Sequence, residues 1–152
     1  MDTDTGTVVV LPGEGTSMSF TGPTKLLLKM SSEGLGVVEV EVSAGEEPPY
    51  HVHTHEDEWF YVIEGELEFH EGDNNFHAPQ GSFISAPRGH AHTYSVLSGT
   101  AKLLQLNTPG GFECMFLNSP GSIEAAAAPG GIFEKFGVRP VAPHPRNGAY
   151  QQ

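Results

Sequence analysis

The sequence is short of cysteine and of basic residues. Cys114 is the only cysteine among 152 residues, so an intramolecular disulfide is impossible, and we interpret its thiol as a packing group and not a nucleophile. Seven lysines and arginines stand against nineteen acidic residues, which gives a formal charge of −12 at pH 7. Such a balance disfavours phosphate backbones and anionic lipid surfaces. The composition therefore predicts neither a nucleic-acid partner nor a membrane partner.

A long apolar run and a secretory signal are also missing. Nowhere does the sequence approach the roughly 18 apolar residues that a membrane-spanning helix needs. Residues 1–4 are acidic where a signal peptide would be positively charged, and the apolar run at residues 8–11 stops at Pro12. We expect a soluble cytoplasmic protein. The 152 residues are enough for one domain with a substantial core.

The sequence does contain many turn residues. Nineteen glycines and twelve prolines fall between short apolar segments, which favours many strands joined by tight turns. Residues 38–42 alternate valine with glutamate, the period of a strand with one buried face. Further strand candidates are residues 25–30, 58–63, 67–70, 83–86, 92–96 and 101–106. We expect a tight turn at residues 64–65, a longer loop at 71–75 and a hairpin closed at 98–99.

This pattern predicts an all-β protein, folded as a double-sheet jelly-roll barrel that buries one face of each strand and hides most edges. The core barrel is expected over about residues 24–107. Residues 108–152 form a C-terminal tail with two short helical segments, at 112–118 and 123–128. The tail's apolar side chains either cover one barrel opening as a lid or pack on the outside of a sheet: Phe112, Met115, Phe116, Phe133 and Phe136. Strands at exposed edges predict a homodimer.

The most informative cluster is a set of three histidines and one glutamate. It lies in two blocks, Gly45-x5-His51-x-His53-x4-Glu58-x6-Gly65 and Gly81-x5-Pro87-x-Gly89-x2-His92. Residues two apart on a strand face the same way, so His51 and His53 present both rings to one side. Glu58 lies an odd number of residues further on, so residues 54–57 must bend to bring it back. Together with His92, these side chains predict a site for one divalent metal ion.

Other polar residues near these blocks leave alternatives open. His55 shares the parity of His51 and His53, so it is a rival to Glu58, and four imidazoles would favour zinc. His90 and Tyr94 share a face with His92 and are expected to line the cavity beside the ion, although His90 is equally consistent with a place on the rim. Arg88 is either a carboxylate anchor at the mouth or a solvated turn residue. We expect His70 and His77 to be exposed.

The two blocks resemble the paired motifs of the cupin superfamily, including their glycines and proline. One departure is Val96, where cupins commonly have an asparagine, at a position that is not a ligand. The resemblance covers residues 37–106 most strongly, and residues 108–113 look like the segment after the barrel in small single-domain cupins of the quercetin 2,3-dioxygenase type. It implies His51, His53, Glu58 and His92 as the metal ligands. It also implies that Glu58 acts as a base toward a flavonol hydroxyl.

The resemblance narrows the function to three hypotheses. The first is a dioxygenase that binds an aromatic or enediol small molecule to iron, nickel, manganese or cobalt. The second is a redox-neutral cyclase of an aromatic polyketide, with the metal, zinc in this case, acting as a Lewis acid. The third is a non-catalytic cupin that binds a small molecule. For an enzyme, we expect Glu58, His90 and Tyr94 to be the catalytic residues.

Overall fold

The computed structural model of the chain describes residues 6–20, 22–118 and 121–147. Within these ranges the chain forms eleven strands, two short α-helices and two short 3-10 helices. The strands are β1 (Thr16–Met18), β2 (Lys25–Ser31), β3 (Gly36–Ser43), β4 (Tyr50–His53), β5 (Asp57–Glu64), β6 (Glu66–Glu71), β7 (Asn74–Pro79), β8 (Phe83–Ala86), β9 (His92–Val96), β10 (Thr100–Thr108) and β11 (Val138–Ala142). The α-helices are α1 (Ile123–Ala127) and α2 (Ile132–Lys135), and the 3-10 helices cover Phe112–Leu117 and Pro145–Asn147.

Two antiparallel sheets pack against each other. Sheet A has the strand order β1-β2-β3-β10-β5-β8, and sheet B has the order β11-β4-β9-β6-β7. The fold is the mostly β jelly-roll that the sequence predicts, although the two sheets do not close into a strict barrel. The strands left at the edges are β1 and β8 in sheet A and β7 and β11 in sheet B. The homodimer expected from such edges stays a prediction.

The alternation of side chains along the strands builds the core between the sheets. On β3 the valines at 38, 40 and 42 are buried, while Glu39 and Glu41 face outward. On β5 the inward residues are Glu58, Phe60 and Val62, as their parity predicts. Glu58 lies at the start of this inward row and Val62 near its end. The same row therefore supplies both a polar site and the apolar core.

The structure confirms the tight turn predicted at residues 64–65 but contradicts the hairpin predicted at 98–99. Gly65 takes a φ of 90° in the turn between β5 and β6, and Gly99 takes a φ of 82° between β9 and β10. In both cases the two strands belong to different sheets, so the hairpin predicted at residues 98–99 is wrong. These turns carry the chain from one sheet to the other. A tight turn is compatible with either outcome, because its residues do not specify which strands pair.

The loop predicted at residues 71–75 is also wrong. Strands β6 and β7 form a long antiparallel hairpin in which Glu71 pairs with Asn74, and Gly72 turns the chain with a φ of 56°. Asparagine and aspartate are depleted in strands, which hid the start of β7. His70, expected to be exposed, is buried between Asn75 and Ser95, whose side-chain oxygens lie 2.7 and 2.8 Å from its two ring nitrogens. His77 is exposed, as expected.

The C-terminal residues pack against both sheets. Phe112, Met115 and Phe133 are the largest members of a second apolar cluster, beside the main core. Beyond α2, β11 pairs with β4, so that Val138 lies opposite His53 and Pro140 opposite His51. The strand β11 was not recognised in the sequence because it is short and carries a proline. The division into a core over 24–107 and a tail over 108–152, and the action of the tail as a lid, stay predictions.

Among the described helices, none combines the length and hydropathy required to cross a bilayer.

Candidate metal centre

Strand β4 presents two histidines to the space between the sheets. His51 and His53 are two residues apart, and their ring centroids lie 4.9 Å apart. The Nδ1 atom of His51 lies 2.8 Å from the carbonyl oxygen of Pro49, and the Nδ1 atom of His53 is bonded to the carboxylate of Glu56. Because these partners only accept hydrogen bonds, each Nδ1 carries the proton. In the neutral form of each ring, Nε2 is therefore the electron-pair donor.

The third histidine comes from β9, the neighbour of β4 in sheet B. His92 lies directly opposite His51 in the register of the two strands. The turn before it places Gly89 at a φ of 81°, and the Gly89 amide donates to the carbonyl oxygen of His53 at 2.8 Å. The Nδ1 atom of His92 donates to the carbonyl oxygen of His90 at 3.1 Å. His92 therefore also directs its Nε2 toward the centre, where a metal ion would replace the proton that this atom shares with Glu58.

The carboxylate comes from the opposite sheet. Residues 54–56 form the bend that the parity of His53 and Glu58 requires, and β5 then begins at Asp57. The Oε2 atom of Glu58 lies 2.7 Å from Nε2 of His92, 3.0 Å from Nε2 of His53 and 3.9 Å from Nε2 of His51. The four ligand atoms all lie within 4.8 Å of one another. Two sheets thus contribute to one compact cluster.

The chemistry of this cluster fits a metal cation. Three imidazole nitrogens and one carboxylate oxygen, all electron-pair donors, point toward one another in a buried place. The Nε2 atom of His53 is buried and has no hydrogen-bond partner among the described residues, although such atoms are normally paired. A divalent cation would satisfy all four atoms at once, and mixed nitrogen and oxygen ligands suit zinc, iron, nickel, cobalt or manganese.

The protonation tendencies of these groups agree with an ionised carboxylate among imidazoles. Burial lowers the pKa of His51. Burial acts in the same direction on His53, but the carboxylates of Glu58 and Glu56 outweigh it and raise the pKa of His53 to about 9. Burial acts to raise the pKa of Glu58, but the three histidines outweigh it and hold its pKa well below the ordinary value. The buried negative charge therefore needs a cation beside it, either a proton on His53 or a metal ion.

Two residues that the sequence reasoning did not single out hold the ligands in place. Glu56 is buried and accepts the hydrogen bond from His53, an interaction that orients metal-bound imidazoles. Gln105, on β10, donates from its Nε2 atom to the Oε1 atom of Glu58 at 2.9 Å. Its Nε2 atom also lies 3.4 Å from the Oδ1 atom of Asn107. Their position gave one signal. Glu56 lies in the polar loop between two ligands, and Gln105 and Asn107 continue, with polar side chains, the inward row that Ala101 and Leu103 begin.

The cluster lies in the wall of a cavity of about 300 Å³ between the sheets. Its lining is mostly apolar. The main core contributes residues such as Leu26, Val40 and Phe60, and the C-terminal apolar cluster contributes Phe112, Met115 and Phe133. Tyr94 also lines the cavity and is 7% exposed. Burial raises the pKa of Tyr94. Within the described residues nothing hydrogen-bonds to its hydroxyl group, which is therefore available to a bound molecule.

Other predicted positions lie elsewhere. The structure corrects the prediction that His90 lines the cavity: its side chain is 56% exposed, and its Nδ1 atom lies 3.8 Å from Glu71. It precedes β9 in a turn, so strand parity does not apply to it. His55 is exposed in the bend and takes no part in the cluster, so it does not replace Glu58. Arg88 is exposed and pairs with Asp57 at 3.2 Å.

Part of the chain matches a known family model, and several solved structures have a similar fold. The family model described as "Cupin domain" matches residues 38–106, which include all four clustered residues. Three similar solved structures are KdgF from Halomonas sp., an RmlC-like cupin from Shewanella frigidimarina NCIMB 400, and a protein described as a predicted oxalate decarboxylase from Thermotoga maritima. No curated protein matches the chain.

The three structures share the fold at low sequence identity. KdgF is 18% identical with a TM-score of 0.64, and the alignment covers 70% of this chain and 98% of KdgF. The Shewanella protein is 17% identical with a TM-score of 0.61, over 69% of this chain and 93% of that protein. The Thermotoga protein is 18% identical with a TM-score of 0.61, over 67% and 99%. At such identities the likeness concerns the fold alone.

Proposed function

We propose that this chain, whose residues 38–106 match the cupin domain family model, is a metal-dependent dioxygenase acting on an aromatic or enediol small molecule. Its ligands would be His51, His53, Glu58 and His92. The observation that carries the proposal is the convergence of three Nε2 atoms and one carboxylate oxygen within 4.8 Å, beside an apolar cavity. Such a cavity with a few convergent polar groups is typical of small-molecule sites.

The metal would supply two kinds of chemistry when bound: it would lower the pKa of a coordinated substrate hydroxyl and, if redox-active, assist the reaction with dioxygen. The protein's own residues would do the rest. The aromatic and aliphatic lining would hold a flat apolar substrate and exclude water from it. Tyr94 offers a hydroxyl group to a polar atom of the substrate, and it is placed to orient the ring relative to the cluster.

The contacts of Glu58 support a role as a ligand. Its Oε2 atom faces the three histidines, and its Oε1 atom accepts the hydrogen bond from Gln105. Both oxygens are thus engaged, and the pKa of the carboxyl is well below its ordinary value. These properties do not favour the base role toward a substrate hydroxyl that the resemblance implies. We therefore place Glu58 in the metal-binding set and Tyr94 in contact with the substrate.

The alternative, a redox-neutral polyketide cyclase, needs a protein base to remove a proton from carbon. Within the described lining the candidates are few. Glu47 is paired with Arg146, Glu58 is bound among histidines, and Glu46 is exposed to solvent. The raised pKa of Tyr94 keeps its hydroxyl protonated at neutral pH, so it does not accept a proton. In the dioxygenase reaction the substrate would lose its proton from an oxygen bound to the metal, so the protein would not need to supply a strong base. The dioxygenase is therefore the better supported of the two.

Oxygen uptake tests the proposal. Metal-stripped protein is reloaded separately with iron, nickel, manganese, cobalt or zinc, and oxygen consumption is followed with quercetin, a catechol and an aliphatic enediol. We expect uptake with at least one redox-active metal, its loss on adding a chelator, and none with zinc. Turnover of these compounds at an undiminished rate without oxygen, or activity with zinc alone, would contradict the dioxygenase and favour the cyclase. Binding without turnover under all conditions would favour a non-catalytic cupin.

A further inference from the structure

The cavity wall carries acidic groups without a free cationic group. Its described lining includes Glu46, Glu47 and Glu58, and it includes neither lysine nor arginine. Glu46 is exposed, whereas the Glu47 side chain is fully buried behind the wall. The whole chain, with these glutamates included, carries a formal charge of −12 at pH 7. Near the cavity, Glu46 therefore contributes negative charge at the surface, and the net charge of the chain adds to it at longer range.

The guanidinium that approaches this wall is already occupied. Arg146 binds Glu47 through two parallel contacts, Nη1 to Oε2 and Nη2 to Oε1, each 2.7 Å long. The same carboxylate accepts from the backbone amides of Gly45 and Val96, at 2.8 Å each. Such a fork-to-fork pair engages two N–H groups of the guanidinium and both carboxylate oxygens. Arg146 is therefore not available to bind an anion in the cavity.

The remaining wall cannot solvate an anion either. Away from the cluster it consists mainly of side chains such as Leu26, Val40 and Met115, and its polar members are Glu46, Glu47 and the hydroxyls of Thr24 and Tyr94. An ionised group placed against an apolar wall without a partner loses hydration that nothing replaces. Only the metal end of the cavity offers positive charge, because two positive charges of a divalent ion exceed the single charge of Glu58.

We infer that the cavity selects substrates with anionic or ionisable oxygens at one end only, the end that faces the metal, and an uncharged, apolar remainder. Compounds with a second anionic group, such as dicarboxylates, sugar acids and sugar phosphates, are rejected because the wall offers that group no positive charge and places Glu46 near it. This inference rests on the proposed function, because the metal-facing end is taken from it. It defines the substrate class more narrowly than "aromatic or enediol".

Two ligands that share one naphthalenediol core, and differ by a sulfonate group, test the inference. Zinc-loaded protein, which is redox-inert, is titrated with naphthalene-2,3-diol and with 2,3-dihydroxynaphthalene-6-sulfonate, and binding is followed by ligand fluorescence. The affinity of each ligand for free zinc in the same buffer corrects for the effect of the sulfonate on chelation. We expect the sulfonate to bind at least about tenfold more weakly after this correction. Equal corrected affinities would overturn the inference and leave the dioxygenase standing.

Failure of both ligands to bind would instead overturn the proposed function, and the inference with it.

A charge reversal on the wall provides the matched comparison. Glu46→Lys is expected to tighten binding of the sulfonate several-fold and to leave binding of the diol unchanged. Glu64→Lys makes the same change in net charge at the other end of β5, about 20 Å from Glu58 by strand geometry, and is expected to leave both affinities unchanged. If Glu64→Lys helps the sulfonate as much as Glu46→Lys does, net charge and not the wall sets the preference, and the inference fails.

Discussion

The interior of this jelly-roll has two regions that differ in how they hold together. Toward one end, the four clustered residues and their partners form a polar network in which nearly every buried atom has a specified contact. Toward the other, Val42, Val62, Leu67 and Leu103 are fully buried and purely aliphatic. Apolar packing drives folding in proportion to area, whereas the polar network depends on exact partners. A substitution in the polar region should therefore impair metal binding without unfolding the protein, and a substitution in the aliphatic region should lower stability without impairing metal binding.

Removing one metal ligand should have the largest effect. In His53→Ala we expect loss of stoichiometric metal and of all metal-dependent activity, because one buried electron-pair donor is removed and the carboxylates of Glu56 and Glu58 lose a partner. The far-UV circular dichroism should remain that of a folded β protein, because the aliphatic region is intact. Metal content by elemental analysis is the measurement, and His77→Ala, at an exposed histidine, is the control. An unfolded His53→Ala protein would show that the metal end also supports the fold.

A large-to-small substitution in the aliphatic region should lower stability and leave metal binding intact. Leu103 is fully buried on β10, and Leu103→Ala should lower the free energy of unfolding by about 2–5 kcal/mol through lost packing and a cavity. The folded fraction should still bind metal at one ion per chain. Denaturant unfolding gives the first quantity and metal titration the second. Loss of metal binding in the folded variant would mean that the two regions are coupled.

Changing a partner of a ligand should weaken the site without abolishing it. Glu56→Gln keeps the shape of the side chain but removes the charge that faces His53, and we expect metal affinity to fall by about 10–100-fold. Competition with a chromogenic chelator measures this change. Glu68→Gln, a partly exposed glutamate on β6, is the matched control and should retain the original affinity. An unchanged metal affinity in Glu56→Gln would show that the charge of Glu56 does not support metal binding through His53.

The smallest effect is expected at the pair that fixes the C-terminal residues to the wall. Burial acts to raise the pKa of Glu47, but hydrogen bonds from Arg146 and the backbone outweigh it and lower the pKa from 4.5 to about 2. A depressed carboxyl pKa stabilises the folded state above the unfolded pKa, and this contribution is lost as the pH falls from about 4.5 to about 2. Because the Arg146 side chain is partly exposed, Arg146→Gln should cost about 1–2 kcal/mol at neutral pH.

Thermal unfolding between pH 3 and pH 7 measures that contribution. Arg146→Gln should unfold at a lower temperature at pH 7, and its difference from the unaltered protein should narrow as the pH falls below 4.5. Arg139→Gln, at an exposed arginine on β11, controls for the loss of a positive charge. A difference that grows in acid would contradict the sign of this argument.

The sequence predicted the strands and the clustered residues well, because both follow from short-range patterns. The alternation of β3 and the spacing of His51, His53 and Glu58 are local, and strand geometry converts them directly into facing side chains. The connection at residues 98–99 was misjudged because a tight turn does not reveal whether its strands pair. His90 was misplaced because the strand begins only at His92, and parity fails outside it.

Contacts between distant parts of the chain could not be predicted at all. Gln105 meets Glu58 because β10 pairs with β5, and Arg146 meets Glu47 across about one hundred residues. Nothing in the spacing of these residues indicates that they are partners. The electrostatic character of the cavity wall, on which the substrate class rests, depends on such contacts.

Anomalous diffraction from crystals soaked in a transition-metal salt tests the central claim most directly. Data collected on both sides of the absorption edge of the metal should give one strong peak within about 2.0–2.3 Å of the Nε2 atoms of His51, His53 and His92 and of a carboxylate oxygen of Glu58. A peak at another place only, or the absence of a peak after soaking at millimolar concentration, would contradict it.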